Sequence, residues 1–452
     1  MRKNKELDVD QQIARVLTYH DQQLKNIKFP DASETDEQVR NSENLLRSMG
    51  YDLPDRHGTS GRKKEVIVIP SWDDLCSEAS LYVAGDCDIR SLFTDDELRK
   101  NEEIIKLLND DFNQIYRLDK ADYAIAAIAG MVGALVDTLL VGIPKKTLDG
   151  LKAGPLSNFI RDYFDKKYPE EEIQKLANSK ISKVPFDAQD NRHTGIYVEG
   201  LSAYYHRLLE LGHDPVLGFV FGVADILNGT MTTIDKNGKI VCQVMENYAD
   251  RKESDIFLAL AKQIIHFQSD VTTSMGLPAP FMSLFNLLQF GKIGDYDQTI
   301  AEIVQGMYFE GYDFIHFCSM SVPVMLVEVI TRVGYALKRF GESHSIKESI
   351  PASLNRKKHP KLASMLFIAH SVATAANAGK VYFSQNPMAI NYPQWIAFAK
   401  YSYLQLKWVL IEKPEMRNAY VDGKIYDAAQ EVLNEVDRNF NEYTRDKIVI
   451  YS

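Results

Sequence analysis

Long segments without charge alternate with charged segments along this chain. Asp, Glu, Lys and Arg are missing from four stretches, 123–136, 271–291, 314–327 and 362–379. These stretches are rich in Gly, Ala, Ser, Thr, Asn and Pro rather than Leu, which is typical of buried helices in a soluble protein. Two of them approach the length that crosses a bilayer, so membrane insertion stays open. The pattern predicts a mainly α fold, a multi-helix core with buried Gly/Ala-rich helices.

Residues 1–120 differ from the rest because they are densely charged. A breaker cluster followed by three basic residues predicts a linker near 55–64. Beyond the linker, Ser71 has the position of a helix N-cap. Thr94 and Glu97 have the spacing of a capping box ahead of a helix. This part is therefore predicted to be an acidic, helical accessory region.

The remaining chain divides into a helical core, 121–345, and a C-terminal helical region, 346–452, that we expect to pack on the core. One β-hairpin is predicted inside the core. Asn237-Gly238, a strong signal for a two-residue hairpin turn, separates two short β-branched runs. We expect this hairpin to be a small insertion at the surface.

Composition and charge narrow the functional classes. The chain has 52 basic and 62 acidic residues and a net charge of −10, which argues against a protein that wraps duplex nucleic acid. Its four cysteines stand far apart, so neither a disulfide framework nor a cysteine zinc site is indicated. The first residues lack the apolar core of a secretory signal. These features predict a cytoplasmic protein, free or attached to a membrane.

The most informative chemical pattern is a histidine and an aspartate on one predicted helix. His266 and Asp270 are four residues apart, so they share one helix face. Imidazole and carboxylate groups placed in this way can bind a divalent metal ion. A simple i,i+4 pair within the helix is the alternative.

A second pattern lies around a predicted helix junction. Gly212 and Pro215 indicate that one helix ends and another begins between His206 and Asp214. Such a junction can direct His206, His213 and Asp214 into one cavity, where Arg207 could hold a phosphate. Asp214 before a proline is also a favourable N-cap, so we assign it either role.

A third carboxylate, Asp137, lies in an otherwise uncharged helical segment. A buried carboxylate is costly unless it is paired or bound to a cation. Asp137 is therefore either a metal ligand or the partner of a basic residue such as Arg207 or Lys145. His370 and the pair Asp313 and His316 are better explained as structural groups of the interior.

Three segments resemble motifs of one superfamily. They are IIHFQSDVTTSMGLPAP (264–280), HRLLELGH (206–213) and VDTLLVGIP (136–144). They resemble the all-helical superfamily of zinc-dependent phospholipases C and single-strand-specific nucleases, which includes a bacterial branch of inner-membrane metal-dependent hydrolases. The resemblance implies clustered divalent metals that hydrolyse a phosphoester. It places the ligands on Asp137, His206, His213, His266 and Asp270. The superfamily's additional histidine after the proline turn has no counterpart here.

Together these observations suggest a metal-dependent hydrolase of phosphoesters, acting on a phospholipid or a nucleotide-type substrate. The expected cofactor is a divalent metal, zinc first and manganese or iron second. Arg207 and Asp214 are the expected catalytic residues. The alternative is a non-enzymatic helical membrane-associated or scaffold protein whose His and Asp residues are interior pairs. The expected location is the cytoplasm, and association with the inner membrane or insertion in it stays open.

Overall fold

The structure is a computed structural model that describes residues 2–27, 32–51, 53, 64–147, 150–273, 275–289 and 298–452. The described chain is mainly helical with a few short strands, which confirms the predicted fold class. Two compact units are present. The first combines 1–114 with 413–452, and the second comprises 115–412.

Within its described residues, the first unit contains four α-helices in its N-terminal part and one long C-terminal α-helix. They are α1 (Arg2–Asn26), α2 (Ala32–Ser48), α3 (Trp72–Tyr82), α4 (Asp95–Tyr116) and α16 (Lys413–Thr444). Ser71 caps α3, and Thr94 and Glu97 form the reciprocal contacts of a capping box at α4, as predicted. Two short strands that we did not predict, β1 (Val66–Ile69) and β6 (Ile448–Tyr451), pair in parallel.

Four helices of the second unit pack around one hydrophobic core. They are α5 (Lys120–Val136), α12 (Phe314–Gly341), α14 (Leu362–Ser384) and α15 (Tyr392–Lys407). Glycines allow the backbones of α5, α12 and α14 to approach closely. A Cβ atom on Gly133 would lie 2.4 Å from Val327 Cγ2, and one on Gly130 would lie 2.5 Å from the carbonyl oxygen of Ala369. We refer to these four helices as the bundle.

The chain between α5 and α12 forms the part of the second unit that holds the candidate site. Its helices are α6 (Pro155–Lys167), α7 (Glu170–Ala177), α8 (His206–Leu209), α9 (Phe221–Asn228), α10 (Ile256–Asp270) and α11 (Ile300–Phe309). Its strands are β2 (Lys145–Thr147), β3 (Gly150–Lys152), β4 (Thr230–Ile234) and β5 (Ile240–Val244). A short helix, α13 (Ile346–Ser349), follows α12.

Strands β4 and β5 pair antiparallel around Asn237-Gly238 and confirm the predicted hairpin. Gly238 has φ +80°, which explains the glycine at this turn. One face of the hairpin lies at the surface, as expected, since Ile240 and Val244 are exposed, whereas its other face, with Met231 and Ile234, is fully buried. The hairpin is also tied to α9, since the backbone N–H of Thr232 donates to Asp225 at 2.9 Å.

Three helical stretches in the described chain are long and apolar enough to cross a membrane: Asp95–Val141, Phe314–Gly341 and Leu362–Ser384. They contain three of the four uncharged stretches of the sequence. The fourth, 271–291, instead forms turns and the 3₁₀ helix Met282–Leu287. On α12, every fourth residue from Met325 to Leu337 is apolar and more than half exposed. The bundle therefore presents an apolar outer face.

Candidate metal centre

Three histidines and two aspartates of the second unit converge. His213, His266 and Asp270 form one group of potential metal ligands, and Asp187, His206 and His213 form another. Within each group, the ligand atoms all lie within 4.8 Å of one another. These groups could hold a metal ion. Four of the five residues were predicted from the sequence, and Asp187 was not.

Helix α10 contributes His266 and Asp270. Asp255 caps it by accepting from the backbone N–H groups of Phe257 and Leu258. His266 and Asp270 are both buried, on the face that turns inward, as their spacing predicted. The helical period of this segment therefore determines the relative position of two ligands.

His213 lies in the 3₁₀ turn Leu211–His213, directly after α8. Gly212 makes this turn possible, because a Cβ atom there would lie 2.5 Å from the ring of Phe186. The same ring packs edge-on against His213 and His266, with centroid distances of 5.2 and 5.4 Å. Phe186 thus shields one side of both imidazoles and fixes their planes.

The group of His213, His266 and Asp270 has the dimensions of a metal site. The two Nε2 atoms are 3.1 Å apart, and Asp270 Oδ2 lies 3.5 Å from that of His213 and 3.6 Å from that of His266. A triangle with these sides has a circumscribed radius of about 2.0 Å, so one point lies about 2.1 Å from all three atoms. Zinc–nitrogen and zinc–oxygen bonds have this length. The spacing of these three atoms therefore matches that of a metal site.

Asp187 and His206 extend the cluster on the other side of His213. Asp187 Oδ1 lies 3.6 Å from His206 Nε2 and 3.8 Å from His213 Nε2. The Asp187 side chain is 27% exposed, the highest value among the five residues. The cluster therefore opens to solvent beside Asp187.

In each histidine, the partner of the Nδ1 atom determines whether the Nε2 atom, which points into the cluster, carries a proton. Nδ1 of His266 lies 2.9 Å from the carbonyl oxygen of Ser182, and Nδ1 of His206 lies 3.1 Å from that of Ala203. A carbonyl oxygen only accepts, so these Nδ1 atoms carry the proton and the Nε2 atoms present lone pairs. Metal-ligating histidines are oriented in the same way.

Glu210 has the corresponding position beside His213. Its Oε2 atom lies 2.9 Å from His213 Nδ1, although the pair is not aligned as a hydrogen bond. The other oxygen, Oε1, accepts from the backbone N–H of Ala188 at 3.2 Å. Glu210 is fully buried, and this burial, followed by the charge of Asp187, raises its pKa well above the usual value.

Burial also disfavours the charged forms of His206 and His213. It lowers the pKa of His206 and lowers that of His213 well below its usual value, with the positive charges around His213 adding to the effect. Neutral imidazole is the form that binds a metal. Within the described chain, His206 Nε2 and Asp270 Oδ2 are buried and have no aligned hydrogen-bond partner. The cluster therefore concentrates several acceptors around His213, and Arg207 is the described donor that contacts Asp270.

Arg207 lies at the cluster, as predicted, but its guanidinium is already engaged. Nη2 donates to Asp270 Oδ1 at 3.1 Å, and Nε lies 3.0 Å from Asp270 Oδ2. Nη1 donates to the hydroxyl of Thr273. These contacts hold the carboxylate of Asp270 toward the histidines, which makes Arg207 a positioning residue.

Asp214 acts as a cap. Its Oδ1 atom accepts from the backbone N–H groups of Val216 and Leu217, both at 2.9 Å. Burial raises its pKa to about 6. Asp214 belongs to neither ligand group. Of the two roles assigned from the sequence, these contacts fit a local cap: Asp214 ends the 3₁₀ turn Leu211–His213, and its side chain caps the backbone of the turn that follows.

Asp137 lies away from the cluster, in a π-helical turn at the end of α5. Its carboxylate accepts from Asn391 at 2.7 Å, Asn377 at 3.0 Å and Lys380 at 3.1 Å. It is in neither ligand group. The expectation of a metal ligand is not met, because amides and an ammonium of α14 and the start of α15 already satisfy this buried charge.

Neither Asp187 nor Glu210 has a clear signal in the sequence. Asp187 lies in an irregular segment, where no period relates it to His206. Glu210 precedes His213 by three residues, a spacing that an acidic cap or a simple helical pair also has. Only the tertiary structure brings both to the histidines. Comparison of the chain with protein-family models, curated proteins and solved structures found no match.

Proposed function

We propose that this chain is a metal-dependent hydrolase of phosphoesters, with a phospholipid or a nucleotide-type substrate. One observation carries the proposal: the Nε2 atoms of three histidines and the carboxylates of two aspartates meet in one largely buried cluster. Such a set of polar groups is stabilised by a cation, and among its members Arg207 pairs with Asp270. The opening beside Asp187 gives a substrate access to that place.

A divalent ion held there would make a bound water a nucleophile near neutral pH and would polarise a phosphoryl oxygen. The chain's own groups supply position and charge. Ser182, Ala203 and Glu210 orient the histidines, and Arg207 holds Asp270. The positive charge of Arg207, 12% exposed, would also favour the negative charge that develops on a phosphoester held at the cluster.

Zinc is the first choice of metal, since imidazole and carboxylate ligands suit it. Manganese and iron accept the same donor types and prefer more ligands. If Asp187 and His206 join the other three residues around one ion, the larger coordination number favours manganese or iron.

We also propose that the bundle inserts in the membrane. The support is the length of the three apolar helical stretches and the apolar outer face of α12. An α-helix of about 20 residues crosses a hydrocarbon layer of about 30 Å. Fractionation tests this: the full-length chain should stay in the pellet after an alkaline carbonate wash and require detergent for release. Release by carbonate alone would contradict insertion.

The test of activity uses the detergent-purified full-length protein. A phosphodiester such as bis(p-nitrophenyl) phosphate and a short-chain phosphatidylcholine are offered with zinc, manganese or iron. Hydrolysis should require the metal, should stop with a chelator, and should fall at least about 100-fold in His266→Ala. His193→Ala, which changes an exposed histidine outside both ligand groups, serves as the matched control.

Metal binding without turnover of either substrate class would contradict the hydrolase. It would favour the alternative, a membrane-associated protein in which the cluster has a structural role.

A further inference from the structure

An open cavity of about 760 Å³ lies in the second unit. Its walls are α11, the last turn of α14, the start of α15 and the 3₁₀ helices Met282–Leu287 and Pro387–Ala389. The five clustered ligands are not among its described lining residues. The volume lies within the range of small-molecule sites, so the cavity can enclose a ligand of that size.

The lining is mainly apolar. Met282, Ile303, Met307, Phe309 and Met388 are representative. Methionine side chains adapt to flexible apolar ligands, because they are unbranched and polarizable. An open cavity of this kind leaves apolar surface in contact with water, and a hydrocarbon occupant would remove that contact.

The cavity is open next to Gly306 of α11. It lines the cavity, and no atom of the described chain lies within 4 Å of the position of a Cβ atom there. This contrasts with Gly130 and Gly133, where a neighbouring helix fills the corresponding space. A larger side chain at residue 306 would therefore extend into the cavity rather than against the backbone of another helix.

The charged groups at the cavity indicate the charge of the head group that a ligand can have. Glu302 and Glu310 line it, and Lys and Arg are not among its described lining residues. Glu302 is engaged in capping α11, where it accepts from the backbone N–H of Thr299 at 2.8 Å. Lys146 is the cation near the rim, 4.6 Å from the ring of Phe309. The lining thus offers no basic group to an anionic head, and its two carboxylates oppose one.

The position of the cavity indicates how a ligand reaches it. Val381 and Tyr382, in the last turn of α14, form part of the wall, and Tyr382 is 70% exposed. Helix α14 is long and apolar enough to cross a membrane. A hydrocarbon chain in a bilayer around α14 could enter at this end of the helix without passing through water.

We propose that this cavity binds the hydrocarbon chain of an uncharged single-chain lipid, such as a monoacylglycerol. The site is separate from the metal centre and does not depend on hydrolysis there.

The test uses the full-length chain in the membranes of the cells that produce it. The probe is a photoactivatable monoacylglycerol with a diazirine in its 18-carbon chain, and the labelled peptides are identified by mass spectrometry. We expect labelling of 300–309 and 381–392 that unlabelled 1-monooleoylglycerol removes. Oleate, which has the same chain and an anionic head, should compete about tenfold less well. Peptides from the outer face of α12 serve as the reference for non-saturable contact with bulk lipid.

Variants at residue 306 locate the site. Gly306→Phe should reduce the saturable labelling about tenfold, whereas Gly306→Ala, which adds one methyl group, should keep it. Gly423→Phe is the matched control, because this glycine also has open space around it but lies on α16 in the other unit. Non-saturable labelling of the cavity peptides in the unchanged protein would overturn the proposal. Equal competition by oleate would overturn the uncharged head.

Discussion

The Nε2 atoms of His213 and His266 lie 3.1 Å apart, a distance at which they either share a proton or bind one cation. The Nδ1 atom of His266 lies against the carbonyl oxygen of Ser182, and that of His213 lies against Glu210. The proton of His266 therefore points outward, and the same arrangement at His213 leaves two Nε2 lone pairs facing each other. Two lone pairs at this distance repel each other, and a cation placed between them and Asp270 removes the repulsion. This relationship is the basis of the predictions on the metal centre.

Glu210 should strengthen metal binding although it is not a ligand. Groups that orient a ligating histidine typically contribute 10–100-fold to metal affinity. We expect Glu210→Gln to lower the affinity for the metal by about this factor. Competition with a chelating dye measures the affinity. Glu253→Gln is the control, since Glu253 accepts from Lys262 at 2.8 Å and lies outside the ligand groups. Equal affinities of both variants would contradict the role of Glu210.

Asp187 should contribute to metal binding less than Asp270. It lies 3.6 and 3.8 Å from two Nε2 atoms and is partly exposed, whereas Asp270 is buried and held by Arg207. We expect Asp187→Ala to lower metal affinity by about tenfold and to keep stoichiometric metal at high concentration. Asp190→Ala, three residues further along, removes a surface pair with Arg192 and should leave the affinity unchanged. An unchanged affinity in Asp187→Ala would exclude this residue from the centre.

Asp137 should matter for stability and not for metal content. Removing one partner of a buried ion pair leaves the other charge without compensation and costs about 3–5 kcal/mol. Asp137→Ala would leave Lys380 in this state, because both side chains are at most 10% exposed. We expect a Tm lowered by several degrees and an unchanged ratio of metal to protein. Loss of metal with an unchanged Tm would reverse the assignment.

The close packing of α5 against α12 should limit the size of residue 133. A methyl group on Gly133 would lie 2.4 Å from Val327 Cγ2, and overpacking of this kind costs about 1–3 kcal/mol. We expect Gly133→Ala to lower the Tm. Gly379→Ala on α14 meets no described atom within 4 Å and should gain up to about 1 kcal/mol from helix propensity. A lower Tm in Gly379→Ala alone would contradict this packing.

Local rules predicted the parts of the fold that depend on neighbouring residues. The capping box at Thr94, the hairpin turn at Asn237-Gly238 and the shared face of His266 and Asp270 each follow from a spacing of a few residues, and the structure contains all three. Buried glycines and alanines of α5 likewise follow from an uncharged, small-residue segment.

The parts of the fold and of the site that could not be predicted from the sequence depend on contacts between residues that are far apart in the chain. A buried carboxylate at Asp137 requires a partner, but its sequence does not identify Lys380, which is 243 residues away. Asp187 reaches the histidines through an irregular segment that has no period to extrapolate. Arg207 next to His206 was expected to hold a substrate phosphate, and only the structure places Asp270 in that position.

The most direct test of the metal centre is elemental analysis of the purified full-length protein, with His266→Ala and Asp270→Ala prepared in the same chelator-free buffer. Each variant removes one of the three atoms, His213 Nε2, His266 Nε2 and Asp270 Oδ2, whose spacing matches a metal site. We predict about one zinc, manganese or iron per chain in the unchanged protein, and a loss of at least nine-tenths of it in each variant while the helical content by circular dichroism is retained. Absence of metal from the unchanged protein after reconstitution with all three ions, or full retention in both folded variants, would contradict the account.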